Sequence, residues 1–374
     1  MWLMIFTILP IAGLSYVVWH LWHLLPQNNL LRLATAAVIF ISVVAFVLNF
    51  SGVAGRLPLR MAQVCYETGT SALVILLYTV ILFLLIDIGV LLRIVPKSIV
   101  TNNGITALVL FVLLTAVFVY GNIHYKNKER RQINLISGKK SEKANALKIV
   151  MLSDLHLGYH NPKSELSRWV TMINAENPDL ILIAGDIIDG SIRPLIEENM
   201  ATEFRKLNAP VYACPGNHEY YCGMRHAQKF FSDAGIVLLR DSVVDFNESI
   251  SIIGRDDRSN RRRKSVQSLV QGVDKNRYVI LLDHQPYELE KAENAGVDFQ
   301  FSGHTHHGQV WPLSWITEAI YENAYGPYRL KNTRYYVSSG MGIWGAKFRI
   351  GTCSEYVVAT LELGQMKTLK STRA

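Results

Sequence analysis

The sequence is short of cysteine and of charge. Its 374 residues include four cysteines, Cys65, Cys214, Cys222 and Cys353, with no Cys-x-x-Cys pair and no regular spacing. A disulfide framework is therefore not expected and free thiols are, although Cys214 and Cys222 flank one motif closely enough to pair. Charged residues make up 18% of the chain against 50% hydrophobic, an apolar balance for a soluble protein, and the shortage lies almost wholly before residue 125. No Lys or Arg precedes the first apolar run, and no short apolar core ends at a small-residue cleavage site, which argues against a cleaved signal peptide. Internal repeats and low-complexity segments are absent. So is a long basic arm: the net charge of +8 is spread along the chain, which argues against nucleic acid and, beside a membrane, for anionic lipid headgroups.

What is present before residue 125 is a set of apolar runs, Trp2 to Leu25, Leu31 to Phe50, Ser71 to Val95 and Gly104 to about residue 122. Each approaches the ~20 residues needed to cross a bilayer, so residues 1–125 are expected to form four transmembrane helices. Arg56 and Arg60 lie between the second and third runs. Lys126, Lys128, Arg130, Arg131, Lys139, Lys140 and Lys143 follow the fourth, whereas the opposite side carries only Arg32, Arg93 and Lys97. The basic excess predicts a multi-pass cell-membrane protein whose amino terminus and globular part both face the cytoplasm. Asp87 lies within the third run, where an ionisable side chain is costly. No acidic or basic partner is evident deep in another run, so a helix-packing role is expected.

Residues 126–146 turn polar and read as a basic linker, residues 147–365 as a globular domain and residues 366–374 as a tail. Within the domain, strand-like runs recur at Ile149 to Ser153, Leu180 to Ala184, Val211 to Pro215, Ile250 to Gly254, Val279 to Asp283 and Phe299 to Gly303. Helical patterns lie between several of them, at Leu166 to Ala175, Leu195 to Leu207 and Ala227 to Ala234. The alternation predicts an α/β domain, closed by a last pair of strands at Tyr335 to Ser338 and Glu355 to Leu363.

In such domains ligands collect at the carboxyl ends of strands, and polar residues of a particular kind sit there. Asp154 and His156 follow the first run, and strand alternation would turn both to one side and Leu155 into the core. Asp186 follows Gly185 after the second. Asn217 and His218 belong to Gly216-Asn217-His218-Glu219 after the third, His284 follows the fifth, and His304 and His306 lie in Gly303-His304-Thr305-His306 after the sixth. Asp-x-His alone is commonplace. The ordered set, every member at a strand end, is not. Carboxylate, amide and imidazole together suit manganese, iron or zinc more than a thiolate-bound metal.

At these residues the chain resembles the calcineurin-like metallophosphoesterase family, in its bacterial membrane-linked branch. The resemblance rests on Gly216-Asn217-His218-Glu219-Tyr220-Tyr221, Asp283-His284-Gln285-Pro286, Gly303-His304-Thr305-His306 with Gly308-Gln309, Tyr336 to Gly342, and Arg349-Ile350-Gly351. It covers about Leu147 to Leu363. It implies a four-layer α-β-β-α sandwich with two divalent metal ions, one held by Asp154, His156, Asp186 and His306, the other by Asp186, Asn217, His284 and His304. Asp186 would bridge them, and His218, unligated, would serve the leaving group. The implied activity is phosphoester cleavage by metal-bound hydroxide. His307 stands where such relatives usually have Gly, and a solvated side chain is expected there.

The run from Arg255 to Arg258 with Arg261 to Lys264 is the densest basic segment of the domain. It reads equally as a solvated loop or as a contact for anionic substrate or lipid headgroups. Expected partners are thus membrane lipids and an anionic phosphoester at the bilayer surface. Two alternatives are carried: a membrane receptor or scaffold that binds without turnover, and a tethered nucleotide or nucleic-acid phosphodiesterase.

Overall fold

A computed structural model describes residues 2–141 and 146–365, so the expected tail at 366–374 lies outside the described residues. The chain divides into two compact units, one running to Ile123 and taking in Gly345–Phe348, the other formed by the remainder.

The first unit contains α1 (Trp2–Leu24), α2 (Asn29–Phe50), α3 (Leu59–Leu91) and α4 (Gly104–Lys126). In hydrocarbon every backbone polar group must be satisfied within the segment, which is why long apolar runs are helical. Among the described residues α2, α3 and α4 are each long and apolar enough to cross a membrane, whereas the described apolar part of α1, Ile8–Leu24, is shorter. The 22 residues of α2 rise about 33 Å, matching the ~30 Å hydrocarbon core. Large side chains such as Phe40, Leu85 and Phe111 are exposed on these helices.

α3 begins at Leu59, well ahead of the expected Ser71, so Arg60 lies in its first turn. At Gly69 the backbone of α2 approaches so closely that a Cβ would lie 2.8 Å from the Phe46 Cα, the small-residue packing common between membrane helices. Asn49 Nδ2 donates to the Cys65 carbonyl beside it at 2.7 Å. Asp87 is not alone. Tyr16 of α1 donates to its Oδ2 at 2.5 Å and His20 lies 3.1 Å away, so a partner the sequence reading passed over supports the packing role.

The second unit holds two six-stranded sheets. Its strands are β1 (Lys128–Ser141), β2 (Leu147–Leu152), β3 (Leu180–Ala184), β4 (Val211–Cys214), β5 (Ile236–Leu238), β6 (Ser242–Asn247), β7 (Ile250–Gly254), β8 (Tyr278–Leu282), β9 (Phe299–Ser302), β10 (Gly326–Leu330), β11 (Thr333–Val337) and β12 (Ser354–Gln365). The first sheet runs β1-β12-β2-β3-β4-β5 and the second β10-β11-β9-β8-β7-β6. Strands β2 to β5 are parallel, as are β7, β8, β9 and β11. Helices of this unit are α5 (Lys163–Ala175), α6 (Arg193–Glu197), α7 (Ala201–Phe204), α8 (Asn217–Tyr221), α9 (Met224–Ala234), α10 (Val266–Val270), α11 (Leu289–Ala295) and α12 (Leu313–Ile320).

The two sheets share one apolar core, in which Ile149, Met151, Leu180 and Leu182 meet Ile252, Ile280, Leu282 and Phe301. On its other face the first sheet sends Val150, Leu152, Ile181 and Ile183 against Trp169 and Val170 of α5 and Phe230 and Phe231 of α9. The second sends Ile253, Val279 and Leu281 against Leu269 of α10 and Leu289 of α11. Strands covered on both faces read as unbroken apolar runs, which is what made them legible.

Three expectations change. Most of the expected linker is a strand: β1 pairs in parallel with β12 from Lys128↔Ser354 onward and becomes an edge of the first sheet. Its Lys and Arg side chains suit an edge strand, which charge protects from further pairing. The expected closing pair is not a pair, because β11 joins β9 in one sheet while β12 joins β2 in the other. The helical pattern from Leu195 to Leu207 is interrupted between α6 and α7, with Asn199 at φ +51°.

Candidate metal centre

Loops leaving β2, β3, β4, β8 and β9 bring the sequence-predicted residues together in the second unit. Asp154, His156 and His306 form one group of potential ligands and Asp186, His284 and His304 another, with the donor atoms of each group within 4.8 Å of one another. His156 Nε2 and His306 Nε2 stand 3.0 Å apart. Asp154 Oδ1 is 3.5 Å from His306 Nε2 and 3.9 Å from His156 Nε2. In the other group His284 Nε2 is 3.1 Å from Asp186 Oδ2. That same oxygen lies 3.7 Å from His156 Nε2, so Asp186 faces both groups.

The residues are not presented by strand alternation. Asp154, His156, Asp186, His304 and His306 all have positive φ, between 44° and 70°. Left-handed backbone at a non-glycine residue costs on the order of 1–3 kcal/mol and persists only where the surroundings enforce it. Here Asp154 N–H donates to Gly185 O and His156 N–H to Asp186 O, which tie the loops after β2 and β3. Leu155 is buried between Asp154 and His156 as expected, but through these turns. Close approach demands glycine at two points. Gly185 has φ +77° with His284 Nδ1 only 2.7 Å from where a Cβ would stand, and a Cβ on Gly303 would collide with Asp154 Oδ2.

The donor chemistry fits divalent cations. His284 Nδ1 lies 2.7 Å from the Ala184 carbonyl, which holds a proton there and turns Nε2 toward Asp186. Asn217 Oδ1 is buried without a hydrogen-bond partner. A buried acceptor left unpaired costs on the order of 1–3 kcal/mol, so this oxygen suits a cation or a hydrogen-bond donor. Burial and the neighbouring His284 lower His304 to about 4, keeping its imidazole neutral. Burial works against the Asp186 charge, but His284 and His218 hold its carboxyl well below the ordinary range. Burial likewise opposes charge on His284, yet Asp186 pushes it well above its usual value. A proton on that nitrogen therefore competes with a metal.

Two residues that sequence reasoning missed organise the site. Glu219, fully buried, accepts hydrogen bonds from the backbone N–H groups of Asp186 (3.0 Å), Ile188 (3.0 Å) and Gly216 (2.7 Å), joining the loops after β3 and β4. Asp189 Oδ1 lies 3.2 Å from His156 Nδ1 and 3.3 Å from His218 Nδ1. The available signals were the Glu that ends Gly216-Asn217-His218-Glu219 and an Asp three residues beyond Asp186. Burial opposes a charge on His218, but Asp186 and Asp189 raise it to about 9. Arg349, fully buried, donates to the carbonyls of His306 at 2.7 Å and Ser339 at 2.5 Å and so holds the last ligand loop.

Other expectations are settled by contacts. All four cysteines are free thiols, Cys214 and Cys222 included. His307 is half-buried and has partners: its ring stacks on Tyr325 with centroids 4.6 Å apart, and Nε2 is 3.0 Å from Glu318. The basic run is a loop whose arginines differ in burial. Arg255 and Arg263 clamp opposite oxygens of Asp283, at 2.9 and 3.0 Å, while Arg258, Arg261 and Arg262 are exposed.

Comparison with known proteins agrees with this chemistry. The family model for calcineurin-like phosphoesterases matches residues 147–308. An uncharacterized metallophosphoesterase of Aquifex aeolicus is 32% identical over 236 residues, covering 61% of this chain and 89% of that relative. One from Helicobacter pylori is 31% identical over 215 residues, covering 56% of this chain and 58% of the relative. A transmembrane protein with metallophosphoesterase domain from Danio rerio is 29% identical over 304 residues, covering 74% and 70%. The chain belongs to the calcineurin-like phosphoesterase family, and it is a metal-dependent phosphoesterase.

Proposed function

We infer that the protein is a multi-pass membrane phosphohydrolase with a two-metal centre that acts on an anionic phosphoester at the bilayer surface. In this reading α1 is a fourth span beside α2, α3 and α4, and the basic flanks place the second unit in the cytoplasm. The helix–sheet–sheet–helix packing of the second unit supports a four-layer α-β-β-α sandwich. The observation that carries the site assignment is Asp186: one carboxylate oxygen faces an imidazole of each ligand group. Asp154, His156, Asp186 and His306 would hold one cation. Asp186, Asn217, His284 and His304 would hold the other, with manganese, iron and zinc all compatible with the donors.

When bound, two such cations supply a water nucleophile at neutral pH and Lewis acidity toward the phosphoryl oxygens. The chain's own residues do the rest. Asp189 orients the His218 ring from its Nδ1 side, and the raised basicity of that imidazole keeps it protonated at neutral pH. A protonated His218 donates to the leaving oxygen as its bond to phosphorus breaks. Glu219 and Arg349 hold the ligand loops against the strain of their left-handed turns.

The test uses the full chain with manganese, assayed against a phosphomonoester, a phosphodiester and a panel of phospholipids. Metal-dependent turnover is expected, and it should be abolished in Asp186→Asn. Binding of a phosphoester without any turnover by the wild type would favour the receptor reading. Reporter fusions at both termini should place both in the cytoplasm.

A further inference from the structure

Helix α12 has its polarity inverted. Ser314 is buried and Thr317 half-buried, whereas Trp315, Ile316, Ala319 and Ile320 are exposed. Positions 315, 316, 319 and 320 share one helical face. A helix of a water-soluble domain shows the opposite arrangement, because burying Ile and exposing Ser is the favourable choice in water. The apolar face extends past the helix. Trp311 ahead of it is exposed, as is Leu313 at its first position, and the Trp311 and Trp315 rings meet edge to face at 5.4 Å. The Trp344 carbonyl accepts from Gln309 Nε2 at 3.0 Å, and its indole too is exposed.

This surface is fastened to the candidate metal centre by the carboxyl end of the helix. Glu318 is 3.0 Å from Nε2 of His307, the residue after ligand His306. Tyr321, directly after the helix, has its ring 6.3 Å from that of ligand His304 and 4.8 Å from that of Tyr287. The exposed Arg258 guanidinium in turn lies 4.2 Å over the Tyr287 ring. Tryptophan and isoleucine facing outward, with an arginine at the edge, is the composition of a segment lying in the headgroup–acyl boundary of an anionic leaflet. The chain already carries helices long and apolar enough to cross a bilayer, so a leaflet is always at hand.

We propose that α12, with Trp311 and Trp344, is an interfacial helix that inserts its apolar face into the bilayer and sets the metal centre to receive phosphoesters borne by lipids of that leaflet. The part concerning substrate rests on the phosphohydrolase reading. The part concerning insertion does not. His307 acquires a role as the clasp between helix and ligand loop.

The full chain is reconstituted in nanodiscs of phosphatidylcholine and phosphatidylglycerol. Ile316→Cys is labelled with an environment-sensitive nitrobenzoxadiazole dye, and Lys229→Cys on α9 is labelled as a control, after subtraction of wild-type labelling. With a nitroxide near the top of the lipid acyl chains, the dye at 316 should lose about half or more of its emission and the dye at 229 little. Equal, weak quenching at both positions would overturn insertion, whatever the enzyme does.

Turnover with manganese is then compared between nitrophenyl phosphate esters, soluble or carrying an acyl chain in the disc, for the wild type and for the triple variant Trp315→Ser, Ile316→Ser, Ile320→Ser. Soluble turnover should stay within about twofold and lipid-borne turnover fall about tenfold, because interfacial binding scales with buried apolar area. A fall of equal size on both substrates, or on neither, would refute the delivery role. If the wild type turns over no ester at all, it is the phosphohydrolase reading that fails, while the quenching result still decides insertion.

Discussion

Glu219 offers the sharpest test of how the centre is held together. Its carboxylate is buried and accepts three backbone N–H bonds, Oε2 from Asp186 and Gly216 and Oε1 from Ile188. Glu219→Ala would leave three buried donors unpaired at on the order of 1–3 kcal/mol each, softened where water enters the space of the lost side chain. A net loss of about 3–5 kcal/mol is expected, a large part of the ~5–15 kcal/mol that holds a typical domain together. For a domain of this size that corresponds to a drop in melting temperature of roughly 10 °C. Glu219→Gln is the informative partner. An amide oxygen placed at Oε2 keeps the bonds from Asp186 and Gly216, but its NH2 then opposes the Ile188 N–H, so the loss should be about half as large. Thermal unfolding of the full chain in nanodiscs, followed by intrinsic fluorescence, reads both variants, and titration with manganese reads metal affinity. Melting temperature and manganese affinity unchanged in Glu219→Ala would refute the claim that this carboxylate joins the two ligand loops.

Three further outcomes follow from the contacts. His218→Ala should lower kcat by about 10²–10⁴-fold while metal content measured by elemental analysis is unchanged, since in the proposed mechanism it donates a proton and holds no metal. Asp189→Asn should weaken metal affinity about 10–100-fold through the loss of its hold on His156 Nδ1 and should also slow turnover through His218, a combination that neither His218→Ala nor a purely structural lesion reproduces. Arg130 Nε and Nη2 donate to Glu176 at 2.8 and 3.0 Å, fastening β1 near the end of α5. These bonds from Arg130 hold the Glu176 carboxyl below its ordinary value. A depressed carboxyl stabilises the fold at pH above its unfolded value of about 4.3 and loses that contribution as pH falls through the folded value. Arg130→Ala should therefore cost less than about 1 kcal/mol at neutral pH, given the exposure of the arginine, and nothing once the carboxyl is protonated in both states; unfolding curves at pH 7 and below pH 3 check this.

Much of the site was legible because its chemistry needs particular residue types at the ends of buried strands, and buried parallel strands advertise themselves as apolar runs. Each of Asp154, His156, Asp186, Asn217, His218, His284, His304 and His306 stands in the region where the sequence placed it. Their partners were less visible. Glu219 and Asp189 carry only a weak signal, since an acidic residue beside a motif is ordinary until its oxygens are seen to meet groups from another loop. The same holds for Arg255 and Arg263, whose charge suggested solvent or substrate until Asp283 appeared between them. β1 was misread as a linker because an edge strand is stabilised by a neighbour far along the chain, and its own composition is that of a polar segment.

Local sequence thus determined the apolar helices, the central strands and the identity of the donor atoms, because periodicity, length and residue chemistry are properties of short stretches. Tertiary structure alone decided the rest. It separated β11 and β12 into different sheets, turned the ligands through left-handed backbone, set one Asp186 oxygen toward both imidazole groups, and exposed the apolar face of α12. Each of these depends on which distant segments come within a few ångströms, and that distance is not a property of any segment by itself.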